Sequence, residues 1–468
     1  MDVNQKNKMG TESIRKLLFS MSIPAITAQL INLLYNIIDR IYIGHIPEIG
    51  ATALTAVGVT LPIIIIISAF AALISMGGAP RSSIMMGRED KEGAEKILGN
   101  CTSALVFISI LLTIGILIFA EKLLMLFGAS GNTIKYALDY LNIYTLGTIF
   151  VQLALGLNAF ITAQGFAKTS MQTVLVGAIL NIILDPIFIF GLKMGVKGAA
   201  LATIISQGVS AVWVLKFLTG NKTILKVKKK YLKIDLKVLL PCLALGLSPF
   251  IMQSTESVLA IAFNTSLLKY GGDLAVGAMT ILASVMQFAM LPLVGLTQGS
   301  TPIISYNYGA ENAKRVKETF FLLLKVSLIY SVGLWAVTMI SPQIFAKMFT
   351  KDLALINIST KSLRIYMAAS LLFGIRVSCQ QTFIALGNAK ASIFLAVLRK
   401  IILLIPLIYI LPIFFQNKVS AVLLAEPIAD FIAAAVTVIL FTIQFKNVLR
   451  ELNIKDYKSR RDENVLSI

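Results

Sequence analysis

Long runs without a single charged residue dominate the pattern of apolar and polar positions along this chain. Among them are residues 17–38, 49–80, 97–120, 140–167 and 274–310. Each run is at least as long as the roughly 20 residues that an α-helix needs to cross a bilayer core. Division of the apolar runs at their polar, glycine and proline breaks predicts twelve membrane-spanning helices. These begin near Leu17, Leu54, Ala94, Ile134, Met171, Val196, Val238, Leu274, Glu318, Ile356, Ser392 and Val419.

Composition supports the same class of protein. Of the 468 residues, 57% are apolar and 14% are charged, and the mean hydropathy is +0.83. Soluble domains carry about 25% charged residues, so a soluble globular fold is excluded. The first apolar run lacks the short apolar region and small-residue cleavage site of a secretory signal. We therefore expect it to be retained as the first membrane span.

The charges are unevenly distributed. The chain has 42 Lys and Arg against 23 Asp and Glu, a formal net charge of +19. In a soluble protein this balance would suggest a nucleic-acid partner. Here well over half of the Lys and Arg lie in segments predicted on one side of a membrane. The positive-inside rule makes that side cytoplasmic, so we expect a multi-pass protein of the cell membrane with both termini in the cytoplasm and no nucleic-acid partner.

Two motifs recur at one offset and indicate an internal repeat. The segment GGAPRSSIMMGRED at residues 77–90 aligns with GSTPIISYNYGAEN at residues 299–312. The segment AQGFAK at residues 163–168 aligns with ALGNAK at residues 385–390, and the two copies are separated by the same offset. Two independent matches at one offset are typical of a duplicated unit, here a unit of six helices.

The repeat predicts the domain organisation. An even number of helices gives both repeats the same orientation, related by an axis along the membrane normal. The predicted units are an N-terminal lobe at residues 1–220, a basic cytoplasmic linker at 221–237, a C-terminal lobe at 238–446 and a polar cytoplasmic tail at 447–468. Secondary transporters use this plan, with the substrate path between the repeats. The sequence has no G-x-x-x-x-G-K-[ST] phosphate loop, so an ion gradient is the expected energy source.

The sequence contains few of the residues that usually form a catalytic centre. One histidine, His45, and three widely spaced cysteines, Cys101, Cys242 and Cys379, cannot assemble a zinc, haem or thiol centre. We therefore expect no catalytic residue, no resident cofactor and no enzymatic activity.

Acidic residues within the predicted spans are the candidate functional residues, because a charge there costs at least about 2.5 kcal/mol on insertion scales. Asp39 lies late in helix 1 and Asp185 lies in helix 5. Asn181 precedes Asp185 by four residues and shares its helical face, and Pro186 frees the carbonyl of Ile182. Such oxygen-rich sites suit a proton or a hard cation such as sodium. The alternative is that each Asp only bonds a neighbouring helix.

The second half does not repeat this cluster and carries charges of its own. Glu256 in helix 7 is a candidate for attracting a cationic substrate or a second ion. Glu426 and Asp430 lie one turn apart in helix 12, and Arg399 in helix 11 is their candidate partner. For this group a structural charge network and a transport role agree equally well with the sequence.

Taken together, these segments resemble the multidrug and toxic compound extrusion (MATE) transporters, and among them the MepA-like branch. The resemblance runs from SIPAITAQLINLLYNIIDRIYIG at residues 22–44, through both glycine motifs, to LLAEPIADFIAA at residues 423–434. It implies an all-α membrane protein with twelve transmembrane helices in two six-helix bundles around a V-shaped central cleft. It also implies alternating access, export of cationic amphipathic drugs in exchange for protons or sodium ions, and a role in antibiotic resistance.

The resemblance also assigns site residues. The family's cation-coupling site falls on Asp39, Asn158, Asn181, Asp185 and Thr203. If the ion is sodium, its ligands would be Asp39, Asn181, Asp185 and Thr203. Glu256 matches a second acidic coupling position, and Pro24 would be the hinge of helix 1. Two positions depart from the family pattern: Gln164 stands where many members have Arg, and Arg376 occupies a region where some members place an acid.

One alternative from the wider superfamily is a lipid-linked oligosaccharide flippase. The acids in the first-half spans argue against an anionic pyrophosphate lipid as the substrate. An uptake transporter of another twelve-helix family is a further alternative. A single chain suffices to form the pathway, so we expect a functional monomer whose partners are small drugs and the lipid bilayer.

Overall fold

The computed structural model of the protein describes residues 8–466, and the side chains of residues 8–455. The described chain is almost entirely helical, as expected where backbone polar groups must be satisfied within hydrocarbon. The α-helices are α1 (Ile14–Gly44), α2 (Gly50–Gly87), α3 (Lys91–Leu126), α4 (Ile134–Leu146), α5 (Thr148–Ala163), α6 (Ala167–Pro186), α7 (Val196–Thr219), α8 (Leu236–Gly309), α9 (Ala313–Ile340), α10 (Pro342–Phe349), α11 (Leu353–Tyr366), α12 (Phe373–Ala385), α13 (Ala389–Val397), α14 (Ile405–Phe414) and α15 (Lys418–Leu466).

The described helices form the twelve predicted spans. Nine are long and apolar enough to cross a membrane, counting α6 and α13–α14 with their π-helical turns, and the bent pairs α4–α5 and α11–α12 add two. As one straight helix, the 74 residues of α8 would extend about 110 Å. Gly272 breaks α8, with a φ of 64° that glycine adopts without a Cβ clash. Its two arms, α8a (residues 236–271) and α8b (residues 273–309), are therefore separate spans.

The two six-helix bundles repeat each other in detail. Ser83 Oγ donates to the carbonyl of Ala163 at 2.9 Å. Ser305 Oγ, at the equivalent position of the second repeat, donates to the carbonyl of Ala385 at 2.7 Å. The bent pairs α4–α5 (55°) and α11–α12 (45°) occupy equivalent places in the two halves. The predicted fold of two related six-helix bundles is confirmed, while the exact domain boundaries stay a prediction.

Both described chain ends lie at the same end of the bundle, which we term the linker end because residues 220–235 between α7 and α8 also lie there. Asn307 Nδ2, near the end of α8b, donates to the carbonyl of Met9 at 3.0 Å. Lys455 of α15 pairs with Glu311, just after α8b, at 3.1 Å. Gly272 lies at the opposite end.

Glycines allow the two lobes to touch backbone to backbone at the linker end. A Cβ atom at Gly87 of α2 would overlap the carbonyl oxygen of Tyr306 in α8b, and one at Gly309 would overlap that of Ile84. The two contacts are reciprocal, as expected beside a twofold axis. A Cβ atom at Gly246 of α8a would likewise overlap the carbonyl oxygen of Leu73 in α2. These contacts form the apex of the V-shaped cleft between the lobes.

The linker is bonded to the N-terminal lobe along much of its length. Gln164 Oε1 accepts two linker backbone N–H groups, each at 2.8 Å. The buried Glu95 of α3 pairs with Lys228 at 2.5 Å, and Asn100 Oδ1 accepts the N–H of Asp235 at 2.5 Å. Gln164, one of the two departures from the family pattern, therefore anchors the linker in this chain.

Candidate functional site

Asp39 and Asp185 face each other inside the N-terminal lobe. Asp39 of α1 is 9% exposed, and Asp185 near the end of α6 is fully buried. Their carboxyl groups lie within hydrogen-bonding reach of each other. Asn181, one turn earlier on α6, donates from Nδ2 to Asp185 Oδ1 at 3.2 Å. Two carboxylates this close in a low-dielectric interior repel each other unless a proton or cation lies between them.

Pro186 places Asp185 at a discontinuity of its helix. Proline has no N–H, so the carbonyl of Ile182 loses its helical partner. Regular α-helical bonding ends at Pro186, and the chain continues as a π-helical turn at Ile187–Gly191. Such turns occur frequently at functional sites. The Asp185 carboxylate therefore lies beside a backbone carbonyl that lacks its helical hydrogen-bond donor.

Asn158 of α5, Asn181 and Thr203 of α7 line a single cavity of about 40 Å³. A space of this volume can hold one or two water molecules. Asn158 Nδ2 donates to the carbonyl of Ser170 at 3.2 Å, and the Thr203 hydroxyl donates to that of Ala199 at 3.0 Å. Because Asn181 also bonds the carboxyl pair, the five residues of the predicted coupling site lie in one continuous region.

Four buried side-chain oxygens in this region receive no hydrogen bond from any described residue. They are Asp39 Oδ1, Asn158 Oδ1, Asn181 Oδ1 and Asp185 Oδ2. A buried acceptor without a donor costs about 1–3 kcal/mol, so a bound proton or cation would relieve a substantial penalty. Carboxylate and amide oxygens are the ligands that hard cations prefer. The described residues contain no group of three or more His, Cys, Asp or Glu that could hold a metal ion, so the amide oxygens would be needed.

Two tyrosines beside the site were missed in the sequence analysis. Tyr140 of α4 is buried, and its hydroxyl lies within hydrogen-bonding reach of Thr203. Tyr35 lies one turn before Asp39 on α1 and lines the 40 Å³ cavity. A signal was present in the sequence, because Tyr140 and Tyr144 recur four residues apart in a predicted span. Their rings stack with centroids 6.1 Å apart.

A separate ionic cluster lies inside the C-terminal lobe. Arg399, in the π-helical turn Leu398–Leu404, donates from Nε to Asp430 at 2.5 Å and from a terminal nitrogen to Glu426 at 2.6 Å. The side chain of Arg399 is 8% exposed, that of Glu426 is 6% exposed and that of Asp430 is 2% exposed. Arg399 therefore pairs with both acids, as the sequence predicts, while its role in a structural charge network stays a prediction.

Removal of the arginine should reveal that structural role. We expect Arg399→Met to lower the free energy of unfolding by about 3–5 kcal/mol, because two buried carboxylates lose their counter-ion. Thermal unfolding of the purified protein in detergent measures the loss. Lys347→Met, which removes an exposed cation on α10, is the matched control and should unfold like the wild type. An unchanged unfolding temperature for Arg399→Met would contradict the structural role.

Glu256 of α8a is paired rather than free. Its carboxylate lies 2.6 Å from the ammonium of Lys400, and its side chain is 58% exposed while that of Lys400 is 7% exposed. Arg376 also joins the cluster, with Nε 3.5 Å from Asp430 Oδ1. The cluster thus holds three basic and three acidic side chains, whose formal charges balance. A role for Glu256 in coupling or substrate attraction stays a prediction.

Pro24 lies in a part of α1 that packs against the other lobe. α1 is continuous through Pro24. A Cβ atom at Gly299 of α8b would overlap Ser22, and one at Gly295 would overlap Ile26. The predicted hinge therefore lies between two close contacts with α8b. The bending itself stays a prediction.

Comparison with known families gives one matching description. The family model MatE matches this chain twice, at residues 24–187 and at residues 249–410. The two matches fall in the two related bundles.

Curated relatives and solved structures agree with this match. The multidrug export protein MepA of Staphylococcus haemolyticus (strain JCSC1435) is 27% identical over 424 residues, covering 90% of this chain and 92% of its own. MepA of Staphylococcus aureus (strain NCTC 8325 / PS 47) is 27% identical over 428 residues, covering 91% and 94%. A crystal structure of MATE in the bent conformation superposes with a TM-score of 0.90 at 22% identity, over 97% of this chain and 100% of its own. An outward-facing multidrug resistance MATE family transporter gives a TM-score of 0.87 at 22% identity, over 94% and 98%.

Proposed function

The chain belongs to the MatE family of multidrug and toxic compound extrusion transporters, and from that premise we propose that it is a secondary active multidrug efflux antiporter. A member of this family is a multi-pass membrane transporter and not an enzyme. The names of its relatives support small-molecule drugs as substrates, and we propose cationic, amphipathic compounds among them. The basic linker supports an orientation in which the linker end and both termini face the cytoplasm.

The single observation that carries ion coupling is the group of four buried oxygens without donors around Asp39 and Asp185. A proton or a sodium ion bound there would neutralise one of the two negative charges and supply a partner to oxygens of the carboxyl pair. Asp39 lies near the C-terminal end of α1, and the first half of the same helix packs against α8b around Pro24. Occupancy of the site can therefore change the contact between the lobes through one helix that bends at Pro24. In this mechanism, cation binding from outside disfavours drug binding in the outward-facing cleft, and the drug leaves.

The closed linker end supports alternating access by rocking of the lobes. Close glycine contacts join the lobes at that end, and in the proposed orientation such a closed cytoplasmic end would correspond to an outward-facing state. An inward-facing state requires the contacts at Gly87, Gly246 and Gly309 to separate. Because no side chain fills the contact, separation and closure need no repacking of bulky groups at these positions.

The driving force sets a limit on stoichiometry. One charge moving through 100 mV supplies about 2.3 kcal/mol, and about 1.4 kcal/mol is a tenfold change in an equilibrium. One ion would therefore sustain roughly a fifty-fold gradient of a neutral drug. A monovalent cationic drug exchanged one for one would feel no voltage, so its export requires a chemical ion gradient or a second ion.

Efflux from vesicles with the two gradients imposed separately tests the proposal. The purified protein is reconstituted, loaded with a fluorescent lipophilic cation, and exposed to a pH gradient alone or to a sodium gradient alone. We expect one of the two gradients to drive concentrative efflux and thereby to identify the coupling ion. If neither gradient drives efflux, the antiporter proposal is overturned. Lipid-linked oligosaccharides would then become the next substrates to test.

A further inference from the structure

The chain segment that precedes α1 is bonded to the C-terminal lobe at the linker end. Residues 8–13, which we term the N-terminal segment, include one helical turn at residues 8–11 and lead directly into α1 of the N-terminal lobe. Asn307 of α8b and Arg315 of α9 both donate hydrogen bonds to its backbone. The N-terminal segment therefore ties the start of one lobe to the other lobe.

Two side chains of the C-terminal lobe form the docking site for this backbone. Arg315 Nη2 donates to the carbonyl of Met9 at 2.9 Å and to that of Glu12 at 2.8 Å. Asn307 Nδ2 donates to the same Met9 carbonyl at 3.0 Å, and Asn307 Oδ1 accepts from Arg315 Nε at 3.0 Å. Carbonyls at the end of a helical turn lack helical partners, so Arg315 and Asn307 supply the donors that the N-terminal segment lacks.

The position of Arg315 in its own helix does not explain the residue. Arg315 lies in the first turn of α9, which begins at Ala313. A cation in the first turn faces the positive end of the helix macrodipole, which is unfavourable. Docking of the N-terminal segment supplies the compensating bonds and accounts for an arginine at this position.

The Met9 side chain lies where the two lobes meet. It is 5% exposed, and it belongs to a buried apolar cluster that includes Ala167 of α6 and Ile303 of α8b. A Cβ atom at Gly165, just before α6, would lie 3.2 Å from Met9 Cε. Separation of the lobes at this place would expose the methionine to water, which opposes opening.

The repeat gives the N-terminal segment a counterpart. The offset between the two repeats pairs Ile14, where α1 begins, with Leu236, where α8a begins. It therefore pairs the N-terminal segment with linker residues 230–235, which bond to Asn100 of α3. α9, which carries Arg315, is the repeat counterpart of α3. In each half, the segment before the first helix is thus bonded to the opposite lobe.

We infer that the N-terminal segment is a releasable latch, which keeps the linker end closed between α1 and α8b while Arg315 holds it. The inference rests on the proposed rocking of the lobes and adds what regulates that motion. While the segment is docked, the start of α1 stays beside α9. Wide opening on this side requires the bonds of Arg315 to break, so these bonds set the balance between the closed and open states.

The distance between two spin labels at the linker end tests the latch. Lys168 at the start of α6 and Lys390 at the start of α13 are exposed, and the repeat offset pairs them. Both are replaced by Cys and labelled in the full-length protein, with Cys101, Cys242 and Cys379 replaced by Ser. Double electron–electron resonance then gives the populations of short and long distances, which correspond to the closed and open linker end.

We expect Arg315→Met to raise the ratio of long to short distances about tenfold or more, the effect of losing a hydrogen bond from a charged donor. Met9→Ser, at a residue before the first span, should raise the same ratio and supplies the test if Arg315→Met fails to fold. Arg364→Met is the matched control. It removes an arginine bond to the carbonyl of Met339 at the other end of α9 and should leave the ratio unchanged.

The outcomes separate the latch from the proposed function. A ratio that is the same in Arg315→Met and Met9→Ser as in the wild type would overturn the latch. An equal rise in Arg364→Met would also overturn it, because release of the N-terminal segment would then not be the cause. The measurement needs neither a drug nor an ion gradient. Loss of ion-driven efflux in the vesicle experiment, together with the expected rise here, would overturn the antiporter proposal and leave the latch supported.

Discussion

Replacing Asp185 by Asn is expected to abolish ion-driven efflux, so that the imposed ion gradient no longer sustains any drug gradient. Asn keeps the size of the side chain and an oxygen that can accept the bond from Asn181, so the fold should persist. It removes the charge that holds the cation beside Asp39. The measurement is the steady-state drug gradient in vesicles under whichever ion gradient drives the wild type.

A matched control separates loss of coupling from loss of structure. Asp273→Asn makes the same chemical change at an exposed residue of the C-terminal lobe, next to Gly272 in α8b. It should export like the wild type. Wild-type export by Asp185→Asn would place the coupling site elsewhere, and Glu256 would be the next residue to replace.

Adding a single methyl group at Gly246 is expected to slow the transport cycle strongly. In Gly246→Ala the new Cβ would overlap the backbone carbonyl of Leu73 in α2, and a change of side-chain rotamer cannot relieve a clash between Cβ and backbone. Overpacking of this kind costs about 1–3 kcal/mol, which shifts an equilibrium about 5- to 150-fold. The linker end should therefore stay open, and drug efflux should fall by a similar factor.

Reactivity of Cys242 towards a soluble maleimide reports the state of the linker end. This thiol is fully buried in the closed arrangement, so it should react faster in Gly246→Ala than in the wild type, in a background with Cys101 and Cys379 replaced by Ser. Gly333→Ala is the control, because a Cβ at Gly333 meets open space. Full transport together with a protected thiol in Gly246→Ala would show that closure does not depend on this contact.

Much of the fold could be predicted from the sequence because it depends on local and periodic signals. Apolar run length predicts the twelve spans, and the common offset of the two repeated motifs predicts the relation between the lobes, which the bonds of Ser83 and Ser305 reproduce. The bends within the pairs α4–α5 and α11–α12 were not predicted. The break between α4 and α5 occurs at Gly147 within an unbroken apolar run, so hydropathy carries no trace of it.

The candidate site could be predicted only in part, since contacts between helices depend on their relative rotation. Asn181 and Asp185 share a helical face by spacing alone. The approach of Asp39, on a helix far away along the chain, depends on packing that no local pattern encodes. The pair between Glu256 and Lys400 was missed for the same reason, because 144 residues separate them.

The docked linker makes the two sides of the linker end mechanically unequal. The linker is fixed to the N-terminal lobe up to Asp235 and leads directly into α8a, so it acts as a short strap across the α2–α8a side. The α1–α8b side has no such covalent tie. Rocking of the lobes would then pivot near the linker, and the gap at the linker end would be widest between α1 and α8b. Compounds that enter from that end would meet an asymmetric opening, which is most accessible on the side where Pro24 lies.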